Sequence, residues 1–252
     1  MGALKGKTAF IAGASSGLGA HLAKVLAREG AVIVVAARRL ERLEGLVSSI
    51  KKDGGIASAV EMDVTDGDSV NAAVNEADKE LGGISILLNN SGVAGTQAAI
   101  DIDEPEWDRV VDTNLKGAWL VGRAVAKRMI ARDRGGSIIN TGSVLAFKAQ
   151  KGTMPYGVSK AGLVQMTRML AAEWARYGIR VNAIAPGYIE TDINREFLQS
   201  AMGQSMVKAI PQRRFGEPED LEGVVLLLAG EASSYITGAL IPVDGGHTLM
   251  LA

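Results

Sequence analysis

Apolar residues along this chain follow two alternating rhythms. Short, largely β-branched runs cover Thr8 to Ala12, Val32 to Ala36, Ala57 to Met62, Ile84 to Leu88, Ser137 to Asn140, Arg180 to Ile184 and Leu240 to Val243. They read as brief strands buried on both faces of a sheet. Between them, Gly17 to Glu29 places Leu18, Leu22, Val25 and Leu26 at helical spacing, and Glu104 to Ala131 and Tyr156 to Tyr177 are longer segments of the same character. Pro155 stands just before the last of these, and Pro218 followed by Glu219 and Asp220 puts a proline and two acids in a first helical turn. Alternating strand and helix predicts βαβ units, a parallel sheet of about seven strands and the α/β class. No linker or repeat divides residues 1–252, so one domain is expected. The stretch Thr191 to Gly216, rich in Met, Gln and Arg, has the weakest pattern and reads as a surface segment or lid.

Composition narrows the chemistry. With 252 residues, 47% hydrophobic, the chain is long enough for a sizeable single core. Its 27 basic and 28 acidic residues give a net charge of -1, so no basic surface for nucleic acid is expected. The longest apolar runs, Ala31 to Ala37 and Val224 to Ala229, are far shorter than the about 18 residues of a membrane span, and no hydrophobic signal core opens the chain. A cytoplasmic protein without membrane partners is the simplest expectation. There is no cysteine, and the only histidines are His21 and His247, far apart and without ligand-spaced acids. Disulfides, thiolate chemistry and a metal site are therefore not expected. Glycine is abundant, with 31 residues.

Part of that glycine lies in Gly13-Ala14-Ser15-Ser16-Gly17-Leu18-Gly19, between the first strand and a helix. A pyrophosphate needs bare backbone N–H groups at a helix amino terminus, so this loop predicts nucleotide binding through Gly13, Ser15, Ser16, Gly17, Leu18 and Gly19. The second strand ends in Ala36-Ala37-Arg38-Arg39, where an acid would select a ribose 2′-hydroxyl. Two guanidiniums suit a 2′-phosphate instead, so NADP(H) is expected in preference to NAD(H), with Arg38 and Arg39 as its contacts.

Tyr156 and Lys160 open a helical segment four residues apart and project from one face. A neighbouring ammonium lowers a phenol's pKa. Alone, such a pair is a common helical surface motif. The loop and this pair come together with Asp63-Val64, Asn89-Asn90-Ser91-Gly92, Asn114, Ser143, Pro186-Gly187 with Thr191, and Val243-Asp244-Gly245-Gly246, in that order and mostly at strand ends. Over essentially the whole chain, this constellation resembles the classical short-chain dehydrogenase/reductase family.

The resemblance implies a Rossmann-type, doubly wound sheet and an oxidoreductase moving hydride between NADP(H) and a ketone or secondary alcohol. It implies a catalytic set of Asn114, Ser143, Tyr156 and Lys160. Tyr156 would be general acid or base. Ser143 would stabilise the reacting oxygen, Lys160 would lower the Tyr156 pKa and bind ribose hydroxyls, and Asn114 would hold a water of the proton relay. Asp63 and Val64 would meet adenine, Asn90, Ser91 and Gly92 the ribose and nicotinamide, and Pro186, Gly187, Ile189 and Thr191 the carboxamide and phosphates. Ala12 and Ser91 depart from the family's usual threonine and alanine. By analogy, Val93, Val144, Leu145, Met154, Tyr188 and parts of the Thr191 to Gly216 lid would line a largely apolar substrate pocket, with 3-oxoacyl thioesters the leading alternative substrates. Rival readings are an idle NADP(H) sensor or scaffold, and a halohydrin-type lyase, which would lack the intact glycine loop. Lys127, Arg128, Arg168 and Arg176 read as solvated rather than as a carrier-protein face. A homotetramer joined through the long helices and the Val243 to Ala252 tail is expected.

Overall fold

A strand buried on both faces must place apolar side chains up and down alternately, each set meeting its own layer of helices. In the computed structural model, which describes residues 2–191 and 194–250, seven strands form one sheet in the order β3-β2-β1-β4-β5-β6-β7. They are β1 (Thr8–Ala12), β2 (Val32–Ala37), β3 (Ala57–Glu61), β4 (Ile86–Asn89), β5 (Gly136–Thr141), β6 (Ile179–Pro186) and β7 (Leu240–Val243). Every pairing is parallel. This is the doubly wound, Rossmann-type sheet, whose winding reverses between β1 and β4.

The two faces carry separate cores. On one, Ile11, Ile33, Val35 and Leu88 meet Leu22 and Leu26 of α1 (Gly17–Arg28), Leu43 and Ile50 of α2 (Leu40–Lys52), and residues of the later helix Glu222–Ala229. On the other, Phe10, Val34, Leu87 and Ile138 meet Val70 and Val74 of α3 (Gly67–Leu81) and a long helical run after β4.

That run corrects the expectation of an uninterrupted helix from Glu104 to Ala131. It consists of α4 (Glu104–Val111), a π-helical turn at Asp112–Lys116 and α5 (Gly117–Ala131). The wider turn rotates the chain at Asn114, which is buried. The next helix, α6 (Met154–Trp174), begins two residues before Tyr156, with Pro155 in its first turn, and a 3-10 turn follows at Ala175–Tyr177. The weakly patterned stretch holds two short helices, α7 (Arg195–Gln199) and α8 (Ala201–Val207). Positions 192 and 193 of that stretch, and residues 251 and 252 of the expected tail interface, lie outside the described residues. Pro218 opens a 3-10 turn, Pro218–Leu221, that leads into α9 (Glu222–Ala229). β4 starts later than its apolar run because the Ile84 amide caps the Asp78 carboxylate instead of joining the ladder.

Beneath the carboxyl edge of the sheet lies a buried polar chain. The Asn89 amide donates to the Ala118 carbonyl of α5 at 2.8 Å and to Asn140 Oδ1 at 3.2 Å. Asn140 donates in turn to Thr167 Oγ1 of α6 at 2.9 Å, and that hydroxyl donates to the Leu163 carbonyl at 2.8 Å. Two strands and two helices are thus tied together where a slip would move the edge above. Replacing Asn140 by Leu preserves volume but strands its partners, and should lower stability by about 1–3 kcal/mol. Urea unfolding should show a lower midpoint with unchanged slope, and an unchanged midpoint would refute this role.

Candidate active site

The carboxyl ends of β1, β2, β3, β4, β5 and β6 converge on a cleft of about 670 Å³, large enough for a cofactor-sized ligand. At its floor, Gly13 turns the chain out of β1 with a φ of +79°, and a Cβ there would stand 2.6 Å from the Ser91 backbone. Ser15, Ser16, Gly17 and Leu18 line the cleft. Gly19 does not: it lies beneath the loop, where a Cβ would meet the Gly13 carbonyl at 2.2 Å. Its lack of a Cβ lets α1 pack against the loop. The Ser16 side chain does not cap α1, and no acid occupies the first turn. The helix's positive end is left to whatever anion enters, so this cradle fits a pyrophosphate.

At the rim, Arg38 is 71% exposed and its guanidinium lies 4.0 Å from the Asp63 carboxylate. Arg39 donates to Ser15 Oγ at 2.8 Å. Two cations therefore stand beside the phosphate loop. Asp63 Oδ1 accepts from the Thr65 amide and hydroxyl at 2.9 and 2.8 Å. Burial pushes this carboxyl up, but the Thr65 bonds and Arg38 outweigh it and hold it below the usual aspartate value.

Val64, Asn90, Ser91, Gly92, Pro186, Gly187, Ile189 and Thr191 line the same cleft. The Asn90 side chain is engaged with the Gly13 carbonyl at 3.2 Å, so it braces the loop. Asn194, not singled out in the sequence, organises the segment after β6: its Oδ1 accepts from the Thr191 amide at 2.7 Å and its amide donates to the Ile189 carbonyl at 2.8 Å.

Deeper in, Ser143 follows β5, and its Oγ accepts from the Leu145 amide at 3.1 Å. Tyr156 comes to it from the first turn of α6. Burial pushes the Tyr156 phenol up, and a hydrogen bond with Ser143 recovers part of the rise. Lys160, one turn further on, is buried; its Nζ donates to the Thr141 carbonyl at 2.7 Å and lies 5.6 Å from the centre of the Tyr156 ring. Burial pushes the Lys160 ammonium down to about 8. Desolvation acts on both groups and favours the neutral form of each.

Asn114 is buried in the π-helical turn. Its side chain does not line the cleft. Oδ1 accepts from the Val93 amide at 2.8 Å, while Nδ2 donates to the Val93 carbonyl at 2.9 Å and to Ser159 Oγ at 3.1 Å. Both amide hydrogens are taken, so the side chain braces the loop after β4 against α6. Only Oδ1, with a lone pair to spare, borders Gly92, where a Cβ would stand 3.4 Å from it and 3.5 Å from Lys160 Nζ. Sequence reasoning missed two further contributors. The Ser159 hydroxyl donates in turn to the Tyr156 carbonyl at 2.7 Å. Thr141 supplies the Lys160 acceptor, and its Oγ1 is buried without a partner among the described residues. Their nearness in sequence to Lys160 and Ser143 was the available signal.

The same cleft is also lined by Val93, Ala94 and Tyr188. Val144, Leu145 and Met154 do not line this cleft, and Val144 is buried. Among the described residues no helix is long and apolar enough to cross a membrane, and no group of three or more potential metal ligands is found.

Residues 13–248 match a family model described as enoyl-(acyl carrier protein) reductase. The gluconate 5-dehydrogenase of Gluconobacter oxydans 621H is 36% identical over 249 residues, covering 98% of this chain and 97% of that protein. The chain is a classical short-chain dehydrogenase/reductase. A 3-oxoacyl-[acyl-carrier-protein] reductase FabG of Thermotoga maritima is 37% identical over 243 residues, 96% of this chain and 98% of its own. A gluconate 5-dehydrogenase structure from Burkholderia cenocepacia J2315, in complex with NADP and tartrate, superimposes with a TM-score of 0.94 at 36% identity, covering 98% and 97% of the two chains. In this member of the oxidoreductase family the parallel edge, the glycine loop and the Ser143, Tyr156 and Lys160 cluster line one cleft.

The lowered Lys160 pKa predicts a pH signature. Its folded value of about 8 lies below the ordinary 10.5, so the unfolded chain binds the proton more strongly and the charged form opposes folding. That penalty is present below pH 8 and fades as pH rises toward the unfolded value, at about 1.4 kcal/mol per unit. The stability difference between wild type and Lys160→Met should shift in favour of wild type from pH 8 to pH 10. A pH-independent difference would rule the shift out.

Proposed function

We propose that this protein is an NADP(H)-preferring reductase or dehydrogenase acting on a ketone or secondary alcohol, with Tyr156 as general acid in one direction and general base in the other. The observation that carries the reading is the Ser143–Tyr156 hydrogen bond set beside a buried lysine, in the same cleft as an uncapped helix amino terminus. The nicotinamide cofactor, when bound, supplies or accepts the hydride. The protein's own part is to hold it and manage the proton. Backbone of Ser15 to Leu18 suits the pyrophosphate, and Arg38 and Arg39 suit a 2′-phosphate. Asp63 and Val64 suit adenine, while Asn90, Ser91 and Gly92, with Pro186, Gly187, Ile189 and Thr191, enclose the ribose and nicotinamide end. Lys160 borders Gly92, where it can donate to ribose hydroxyls.

A phenol pushed up by burial keeps its proton at neutral pH, which suits donation to a carbonyl oxygen becoming an alkoxide. Ser143 is placed to hydrogen-bond the same oxygen. Asn114 acts through others, by fixing Val93 and Ser159.

The gluconate 5-dehydrogenases among the relatives favour a polar keto acid or its alcohol, and the FabG relatives favour a 3-oxoacyl thioester. The substrate end carries Val93, Ala94 and Tyr188, and we read it as taking a compact carbonyl compound in preference to a long acyl chain. We also propose a homotetramer, supported by Trp119 on α5, Met169 on α6 and Leu249 in the tail, all exposed apolar side chains. A monomer by light scattering at micromolar concentration would overturn that assembly.

NADPH absorbance followed against simple ketones, keto-gluconates and an acetoacetyl thioester tests the activity. Tyr156→Phe should lose at least about a hundredfold in kcat while still binding NADPH. Turnover unchanged in that variant would defeat the mechanism, and no turnover on any carbonyl compound would leave a non-catalytic NADP(H)-binding protein. Arg38→Asp should shift the kcat/KM ratio of NADPH over NADH by about tenfold or more toward NADH. An unchanged ratio would remove Arg38 from cofactor choice.

A further inference from the structure

Tyr188, directly after the Pro186-Gly187 turn, stands between two voids. One side lines the cleft with Ser143 and Tyr156. The other lines a second cavity of about 350 Å³, shared with Ile210, Gln212 and Asp244. A residue that borders two voids is not fixed by close packing alone. What holds it are specific contacts. The Phe215 ring meets it edge-on at 6.3 Å, the His247 ring lies 5.6 Å away, and its hydroxyl is hydrogen-bonded to the Gln150 side chain. Its carbonyl accepts from the Gly216 amide at 2.9 Å.

His247 comes from a tight turn after β7. The Asp244 carboxylate folds that turn by accepting from the Gly246 amide at 2.9 Å and from the Thr248 amide and hydroxyl at 2.8 and 2.7 Å. The imidazole Nδ1 is buried without a partner among the described residues. The ring's hold on Tyr188 is therefore its face, not that nitrogen. Three residues on, the Met250 carbonyl accepts from Lys148 Nζ at 2.7 Å. Lys148 belongs to the loop that carries both Ser143 and Gln150. One turn thus grips both loops that border the substrate end.

We propose that the turn Asp244 to Met250 is a brace that sets Tyr188 as the movable wall of the substrate end, making Tyr188 specificity-determining and His247 a positioning residue. The wall keeps bulky groups out of the cavity behind it. Released, the ring can swing into that cavity and admit them. The kinetic consequence rests on the reductase reading given above, whereas the mechanical one does not.

Two measurements on the full-length protein test the brace. In the first, kcat and KM are compared for the smallest and the bulkiest carbonyl compounds that wild type reduces. His247→Ala should lower the kcat/KM preference for the small compound by about tenfold, with the NADPH dissociation constant unchanged. His247→Phe, which keeps the ring face and lacks the nitrogens, should restore the preference. An equal loss on both compounds, or no rescue by Phe, would overturn the proposal. In the second, hydrogen exchange is followed at residues 145–150 and 187–190. Exchange should quicken in both segments in His247→Ala, quicken at 145–150 in Lys148→Met, and return to the wild-type rate in His247→Phe. Unchanged exchange in His247→Ala would overturn the brace. If wild type reduces nothing while exchange responds in this way, the brace stands and the reductase reading is what fails.

Discussion

A wholly parallel sheet obliges every strand to end at the same edge and every connection to cross back over a face. Here that constraint brings the loops after six strands to one line, although the residues involved range from Gly13 to Thr191 in the chain. It also requires apolar cover on both faces, supplied by the separate clusters around Ile11 and Phe10. The reversal of winding between β1 and β4 opens the crevice between the loops that follow them. There the Gly13 backbone touches Ser91 so closely that no side chain would fit. The buried chain from Asn89 through Asn140 to Thr167 lies just under this edge and joins the helices on one face to the strands they cover.

At the centre of the cleft one physical effect dominates. Lys160 and Tyr156 are both withdrawn from water, and each is driven toward its neutral form, the ammonium to a lower pKa and the phenol to a higher one. The Thr141 carbonyl steadies Lys160 in position but carries only a partial charge. A protonated phenol beside a serine hydroxyl is poised to give a proton.

Much of this was legible in the chain. Short, largely apolar runs marked all seven strands, although Ser58, Asn140, Arg180 and Asn182 interrupt them and β7 is only partly buried. The glycine loop and the four-residue step from Tyr156 to Lys160 placed most of the cleft, since both depend on local geometry. What escaped depends on contacts between distant segments. Helical periodicity runs straight through Asp112 to Lys116, so nothing announced the π-helical turn that carries Asn114 into the interior. Gly19 looked like its neighbours in the loop, and only the packing of α1 shows it serving the loop from below. The partnerships of Ser159 and Asn194 join side chains to backbone groups of other segments, which no spacing rule specifies. His247 looked isolated because its neighbour Tyr188 is 59 positions away in the numbering and meets it only through the fold.

The two arginines at the rim differ from the chemistry below them in one respect. Arg38 is largely in water, and its carboxylate neighbour sits at the limit of an ion-pair distance. Charge recognition in such a place is screened over about 8 Å at physiological ionic strength, while the buried Ser143, Tyr156 and Lys160 groups are shielded from mobile ions. Added salt should thus blunt the choice between nucleotides while sparing the proton transfer, so that discrimination and catalysis in this fold respond to the surrounding electrolyte separately.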